Sequence, residues 1–262
     1  MKKAAPATCL LLLAAAAAFL AGCDGAHGRP GAGPSVVRPE EVLSFSKLYN
    51  ANCVACHGAN GSGGAAIALN NPTYLALAGE GVLRTVTANG VPGKLMPRFA
   101  KSVGGELTDQ QIDVLVHGML QTWDKPVAAT QNMPPYKTLL TGNVDRGKVE
   151  FGTHCASCHG ANGEGNLKTA GQEKAAGTET AKAGTIGSIL DAAYLDLVSD
   201  QSLRSIVIAG RPDLGMPDWR GNGANGVTPM TDQQVTDILS WIASKRSANP
   251  GQPYPVQSSP SK

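Results

Sequence analysis

Two short motifs of cysteine and histidine are the residues of this 262-residue chain best suited to chemistry. Both have the spacing C-x-x-C-H, and they comprise Cys53, Cys56 and His57 in the first copy and Cys155, Cys158 and His159 in the second. This spacing is the signature of covalent c-type haem attachment. Two thiols on one helical turn can add to the two vinyl groups of the porphyrin, and the imidazole that follows can bind the iron. The sequence therefore predicts two covalently bound haem c groups.

Other uses of paired cysteines fit this sequence less well. Zinc ribbons place their C-x-x-C pairs roughly 15–20 residues apart, whereas here the pairs begin at Cys53 and Cys155. Thioredoxin-like redox sites need neither the following histidine nor a second copy. Structural disulfides remain an alternative, because an exported protein folds in an oxidising compartment.

A methionine in each half of the chain is the candidate for the other axial position of the iron. Met96 and Met216 occupy the same place in matched segments, and each directly precedes a proline. Gly90 and Gly210 open the two loops. A methionine on an apolar surface can be plain core filler, but here stiff loop backbone would hold the side chain. Met96 and Met216 are therefore the predicted distal ligands.

The remaining histidines and methionines are weaker candidates for that position. His117 is the main competitor in the first half, but its matched position in the second half is Ser240. His154 directly precedes a motif cysteine and is not expected to reach the opposite face of a haem. Three methionines without a matched partner are predicted to be core or linker residues: Met119, Met133 and Met230.

An internal duplication explains why these residues occur in pairs. Three blocks recur in the same order with offsets of 102, 120 and 123 residues: 52–64 with 154–166, 74–99 with 194–219, and 107–116 with 230–239. The growing offsets indicate a long insertion in the second copy, NLKTAGQEKAAGTETAKAG, and a short one near GNGANG. The chain is therefore predicted to be a tandem repeat of one domain of about 90 residues.

Each copy is predicted to be mostly helical. Segments 40–52 and 144–154 have helical character and run into their cysteine motifs. Thr108 and Thr231 have N-cap chemistry and precede apolar residues at helical spacing. Neither copy shows sustained period-two alternation, so the predicted fold class is all-α.

The two ends of the chain are predicted to lie outside these domains. Residues 1–22 resemble a lipoprotein signal peptide, with two lysines, a short apolar run and the sequence LAGC. Cys23 would then carry the lipid that anchors the chain to the membrane. Residues 23–39 are predicted to be a flexible tether and 247–262 a disordered tail rich in proline and serine.

Net charge argues against a nucleic-acid partner. Without residues 1–22, the chain has 20 basic and 20 acidic groups. It contains no basic run. A nucleic-acid binder would show a basic face or stripe, so this class is not supported.

The chain resembles the tandem dihaem class I cytochromes c, on the motifs CVACHG and CASCHG, the two Met-Pro loops and the last helix of each copy. It is similar to the dihaem subunits of bacterial cbb-type oxidases and to periplasmic dihaem electron carriers. The resemblance implies cytochrome c domains at 40–125 and 144–246, joined by a linker at 126–143. It also implies a proximal motif histidine and a distal loop methionine in each domain, His57 with Met96 and His159 with Met216.

Two features depart from that family. Members usually have a proline soon after the haem motif, whose carbonyl orients the proximal imidazole, and neither copy has one in that place. Members also favour a glycine eight residues before the first cysteine, where Gly147 fits but the first copy has Phe45. The last helices align Gly118 with Trp241. We therefore expect Phe45 to pack on Gly118 in the first copy and Gly147 to pack on Trp241 in the second, so that the large residue lies on opposite helices of the crossing.

The resemblance implies an electron-transfer protein rather than an enzyme. Its expected partners are a quinol-oxidising complex, a dehydrogenase or a terminal oxidase, at the periplasmic side of the bacterial inner membrane. The alternative is a dihaem enzyme of the peroxidase or thiosulfate-oxidising type, which needs an open or differently ligated iron. A third possibility, a haem sensor, would normally come with a signalling domain, and the sequence gives no indication of one. The matched Arg84 and Arg204 are candidates for haem propionates, for a buried carboxylate or for a solvated surface.

Overall fold

The computed structural model of this chain describes residues 33, 36–127, 130–165, 186–221 and 228–247. The predicted signal peptide, Cys23, most of the predicted tether, both insertions of the second copy and almost all of the predicted tail lie outside these described residues. By its contacts the chain divides into Met1–Pro39 and Glu40–Lys262. Both cysteine motifs belong to the second unit. Within it we call residues 40–125 the first half and 144–246 the second half.

Helices make up the regular structure of the described residues, which form isolated β-bridges but no strand. The first half contains α1 (Phe45–Asn52), α2 (Val54–His57), α3 (Pro72–Asn89) and α4 (Asp109–Trp123). The second half contains α5 (Val144–His154), α6 (Ala156–His159), α7 (Ala192–Leu197), α8 (Asp200–Ala209) and α9 (Asp232–Ala243). Short 3₁₀ turns lie at Pro39–Glu41, Lys101–Val103, Thr130–Asn132 and Pro212–Leu214. The prediction of a mostly helical chain is confirmed for these residues.

The first helix begins later than the sequence predicts. α1 starts at Phe45 instead of residue 40, because Ser44 is extended (φ −96°, ψ 120°). The Val42 carbonyl meanwhile accepts a hydrogen bond from Gln111 Nε2 at 3.1 Å. The segment before α1 therefore packs on the start of α4 and does not extend the helix.

The last helix of each half begins with the predicted threonine cap. Thr108 accepts a hydrogen bond from the Gln111 amide, and the Gln111 side chain bonds back to the Thr108 backbone. Thr231 and Gln234 form the same reciprocal pair at the start of α9. Such a capping box satisfies two backbone donors that a helix start would otherwise leave unpaired.

The first and last helices of each half cross at a glycine. A Cβ at Gly118 in α4 would lie 2.2 Å from Cδ2 of Phe45 in α1. In the second half, a Cβ at Gly147 in α5 would lie 2.0 Å from the Asp237 carbonyl oxygen and 2.9 Å from Cβ of Trp241 in α9. Both predicted pairs are therefore in contact, and the large residue has changed sides between the copies.

Each half has a core of its own, and the two cores exchange residues. The first is built from α1, α3 and α4, and the second from α5, α8 and α9. Leu77 of the first half packs in the second core, and Ala209 of the second half packs in the first. Tyr136, between the halves, contacts both cores. Among the described residues, no helix combines the length and the apolar character that a membrane span requires.

Candidate haem sites

The first cysteine motif is a single helical turn. Cys53 ends α1, and α2 follows at once. The Cys53 carbonyl accepts hydrogen bonds from the Cys56 amide at 3.2 Å and from the His57 amide at 3.0 Å. These bonds hold two thiols and one imidazole on the same turn, as covalent attachment at two porphyrin positions requires.

A backbone carbonyl fixes the orientation of the first motif histidine. His57 is 7% exposed. Its Nδ1 donates to the Ile67 carbonyl oxygen at 2.9 Å, which leaves Nε2 as the nitrogen available to a metal. A hydrogen bond of this kind sets the tautomer and the ring orientation of a ligating histidine. Burial lowers the pKa of His57, against the opposing effect of the Ile67 carbonyl, so the neutral, metal-binding form is favoured.

Sequence reasoning missed Ile67, because the contribution comes from a backbone carbonyl in an irregular segment, which any residue type could supply. The expected proline is not needed for this role. The only available signal was positional: an acceptor had to lie in the loop between the motif and α3.

The second motif repeats the turn of the first. The Cys155 carbonyl accepts from the Cys158 amide at 3.1 Å and from the His159 amide at 2.9 Å. Burial lowers the pKa of His159. Nδ1 of His159 is buried and has no hydrogen-bond partner within the described ranges, which omit residues 166–185.

The motif thiols are unbridged and differ in exposure. No disulfide joins Cys53, Cys56, Cys155 or Cys158. The first cysteine of each motif is half-buried and the second is exposed. Burial and the neighbouring motif cysteine raise the pKa of Cys53 to about 11 and that of Cys155 to about 12. These four cysteines therefore do not form the disulfides that were the alternative to haem attachment.

The two methionine loops share one backbone design. Gly90 ends α3 with φ 64°, and Gly210 ends α8 with φ 70°. This left-handed conformation suits glycine, and a Cβ at either position would meet the backbone of Pro97 or Pro217 at 2.6 Å. Each loop thus returns on itself immediately after its helix.

The same hydrogen bond closes both loops. The Met96 carbonyl accepts from the Val91 amide at 3.0 Å, and the Met216 carbonyl accepts from the Arg211 amide at 3.0 Å. Both methionines are half-buried. Backbone bonding, rather than helix packing, therefore positions these two thioethers.

These features fit covalent haem c. Each half supplies two unbridged thiols on one turn, an imidazole whose pKa is lowered, and a thioether on a loop closed by a backbone hydrogen bond. His57 in addition presents Nε2 with its other nitrogen occupied.

Residues 144–245 match the family described as cytochrome c, and residues 40–117 match the family described as cytochrome c oxidase, cbb3-type, subunit III. The chain is a c-type cytochrome related to cbb3-type oxidase subunits. Cytochrome c domains imply covalently bound haem c, the cofactor predicted from the motifs.

Two curated relatives support the same relationship. The cytochrome is 28% identical over 148 residues to the cbb3-type cytochrome c oxidase subunit CcoP of Azospirillum sp. (strain B510), covering 50% of this chain and 45% of the relative. It is 32% identical over 134 residues to the subunit FixP of Sinorhizobium medicae (strain WSM419), covering 48% of this chain and 41% of the relative. The chain thus spans less than half the length of each of these relatives.

The competing histidines of the cytochrome are engaged elsewhere. His117 is exposed, and its Nε2 lies 3.1 Å from Glu80 Oε1. Nε2 of His154 lies 3.5 Å from Glu150 Oε2 and 3.4 Å from Gln234 Nε2. Neither arrangement is that of a side chain held for an iron.

The two matched arginines of the cytochrome have different surroundings. Arg84 is half-exposed and pairs with Asp113. Arg204 is 4% exposed, pairs with Asp232 and donates to the Pro135 carbonyl from two nitrogens, at 2.8 and 3.0 Å. Arg204 therefore ties the start of α9 and the linker to α8. The arginine is buried, but its carboxylate partner is only half-buried, with 26% of the Asp232 side chain exposed, whereas Arg84 lies on a solvated face.

Proposed function

We propose that this chain is a dihaem cytochrome that carries single electrons between membrane-associated respiratory complexes. The observation that carries the proposal is the repetition of one ligand arrangement in both halves: a C-x-x-C-H turn and a methionine loop closed by the same backbone bond. A bound haem c supplies reversible one-electron oxidation and reduction of its iron.

The chain's own residues have distinct roles in each site. Cys53 with Cys56, and Cys155 with Cys158, would attach the porphyrin. His57 and Met96 are the proposed iron ligands of the first half, and His159 and Met216 are those of the second half. The Ile67 carbonyl keeps the His57 ring oriented, and the closed loops limit the movement of the thioethers.

Ligation by both an imidazole and a thioether favours electron transfer over catalysis. An iron bound by both of these side chains would have no free position for peroxide or oxygen. Methionine–histidine ligation also raises the reduction potential. The proposed function is therefore electron transfer and not turnover of a bound substrate.

Fixed contacts between the halves support a relay. Asn71 caps α3 by accepting from the Thr73 amide at 2.9 Å. The same side chain donates to the Ala209 carbonyl at 2.8 Å, at the end of α8. Because Asn71 is only 3% exposed, this bond joins α3 to the end of α8 through buried structure.

The sequence and the relatives support the proposed location. We propose that residues 1–22 are removed, that lipid on Cys23 anchors the chain, and that it acts at the outer face of the bacterial inner membrane. The names of the relatives, which are subunits of cbb3-type oxidases, favour a terminal oxidase complex as one partner. A quinol-oxidising complex or a dehydrogenase would supply the electrons.

Carbon monoxide distinguishes this proposal from the peroxidase or thiosulfate-oxidising alternative. The reduced full-length protein should show no spectral change with carbon monoxide, since no axial position is open. Met96→Ala should make about half of the haem reactive. Met119→Leu, a volume-conserving change at a buried methionine of α4, is the matched control and should stay unreactive. Carbon monoxide binding to the unaltered protein would favour the enzyme.

A further inference from the structure

Arg211 lies in the methionine loop of the second half but is not needed for the loop itself. The matched residue in the first half is Val91. Both residues use their backbone amide in the same way, to close the loop on the methionine carbonyl. The Arg211 side chain is therefore an addition of the second copy, and it is 7% exposed despite its charge.

That side chain reaches across to the loop of the first motif. Arg211 Nη2 donates to the Gly64 carbonyl at 3.0 Å. Arg211 also forms two bonds with Asp213, from Nε at 2.9 Å and from Nη2 at 2.8 Å. Asp213 Oδ2 in turn accepts from the Gly63 amide at 3.0 Å. One ion pair of the second half thus holds two consecutive residues of the first half.

The loop that is held belongs to the first haem site. A Cβ at Gly64 would lie 2.1 Å from the Cys56 carbonyl oxygen, so the loop passes directly over the motif. Three residues further on is Ile67, whose carbonyl orients the His57 ring. A displacement at Gly64 would therefore be transmitted to His57.

The guanidinium charge lies beside the first motif. Arg211 Nη2 is one hydrogen bond of 3.0 Å from the Gly64 carbonyl, and Gly64 lies against the Cys56 carbonyl. The hydrogen bond from Arg211 is the main cause that lowers the pKa of Asp213, so that carboxylate is ionised near neutral pH. A positive charge this close to the motif would disfavour the extra positive charge of an oxidised iron held there.

Given the proposed function, we infer that Arg211 is a positioning residue that the second half contributes to the first haem site, where its charge raises the reduction potential of the haem on His57. Asp213 moderates this effect by partial neutralisation. The second site has no equivalent among its matched residues, because the first half has Val91 in this place. The two haems therefore differ in potential, although their proposed ligands are the same.

Potentiometric titration of the full-length holoprotein tests the inference. The titrations use a Met216→His background, which lowers the potential of the second haem by replacing its thioether with an imidazole and so separates the two components. Arg211→Gln should shift the first component's redox equilibrium about tenfold towards oxidation, equivalent to about 59 mV for one electron. Asp213→Asn should shift it in the opposite direction, and the double variant should lie near the parent.

Potential shifts of opposite sign for Arg211→Gln and Asp213→Asn distinguish an effect of charge from a loosening of the loop, which would shift both in the same direction. Arg211→Lys, which keeps the charge, should stay closer to the parent than Arg211→Gln. Arg220→Gln is the matched control, since Arg220 pairs with Asp218 at the same spacing in the same region, and it should leave the first component unchanged. Shifts of the same sign for Arg211→Gln and Asp213→Asn, or no shift, would overturn the inference alone. A parent without two redox components would overturn the proposed function, and this inference with it.

Discussion

His57 shows how the fold alone can orient a candidate ligand side chain. Its burial disfavours the protonated ring, and one backbone carbonyl fixes which nitrogen points away. The same combination, a polar group buried with its partners supplied, recurs at Asp237 in α9. At Asp237 the hydrogen-bond partners contribute to the stability of the second half, whereas at His57 the partner orients a candidate ligand.

Asp237 is a buried carboxylate whose partners favour the ionised form. It accepts from the Asn143 amide at 2.7 Å, from Arg146 Nε at 2.8 Å and from Gln233 Nε2 at 2.9 Å. Burial acts to raise the pKa of Asp237, but these hydrogen bonds lower it below the ordinary 3.8. The carboxylate therefore stabilises the fold above that ordinary value, and the contribution is lost as the pH falls through the lower folded pKa.

Asp237→Asn should accordingly destabilise the protein in a pH-dependent way. We expect a loss of about 1.5–3 kcal/mol at neutral pH from the weakened bonds to Asn143 and Gln233, and little from the exposed Arg146. Urea unfolding of the holoprotein at pH 7 and near pH 3 should show the difference from the parent shrinking in acid. Asp145→Asn, an exposed change in the first turn of α5, is the control. A difference that does not change with pH would contradict this account of Asp237.

At the scale of elements, the crossing of first and last helices depends on one small residue on one side. In α1 and α4 the ring is Phe45 and the glycine is Gly118, whereas α5 supplies Gly147 and α9 supplies Trp241. Each crossing thus pairs one ring with one glycine, and an exchange that keeps the total side-chain volume similar is the kind that a packed core tolerates best.

Two glycines of α5 give a matched test of this crossing. Gly147→Ala should destabilise the protein by about 1–3 kcal/mol through overpacking, because its Cβ would lie 2.0 Å from the Asp237 carbonyl oxygen. Gly152→Ala, whose Cβ would meet nothing within 4 Å, should instead stabilise by about 0.5–1 kcal/mol through better helix propensity. Urea midpoints of both holoproteins measure this, and equal effects would show that the crossing is not tight.

The elements that could be predicted from sequence are those determined by local chemistry or by repetition. The threonine caps before α4 and α9 could be predicted because Thr108 and Thr231 precede apolar residues at helical spacing. The exchange of glycine and aromatic residue between the two helix crossings could be predicted because the two copies align with each other. The start of α1 could not be predicted, because Val42 bonds to Gln111 of α4, a tertiary contact that the local sequence pattern does not contain.

At the scale of the whole molecule, the halves are joined by buried contacts that repetition alone could not predict. Leu77 and Ala209 each pack in the core of the other half, and Asn71 bonds across the junction. Arg211 and Asp213 reach the first motif loop. Sequence comparison between the copies identifies what they share, and therefore passes over residues such as Arg211 that only one copy has. Those residues make the two sites inequivalent.

The central claim is that one chain holds two haems, each with an imidazole and a thioether from its own half. Electron paramagnetic resonance of the oxidised full-length protein, integrated against the concentration of polypeptide, tests it most directly. We predict two low-spin ferric signals per chain, with unequal shape because only the first site has Arg211 beside it. A single signal per chain, or high-spin iron in either half, would contradict the account.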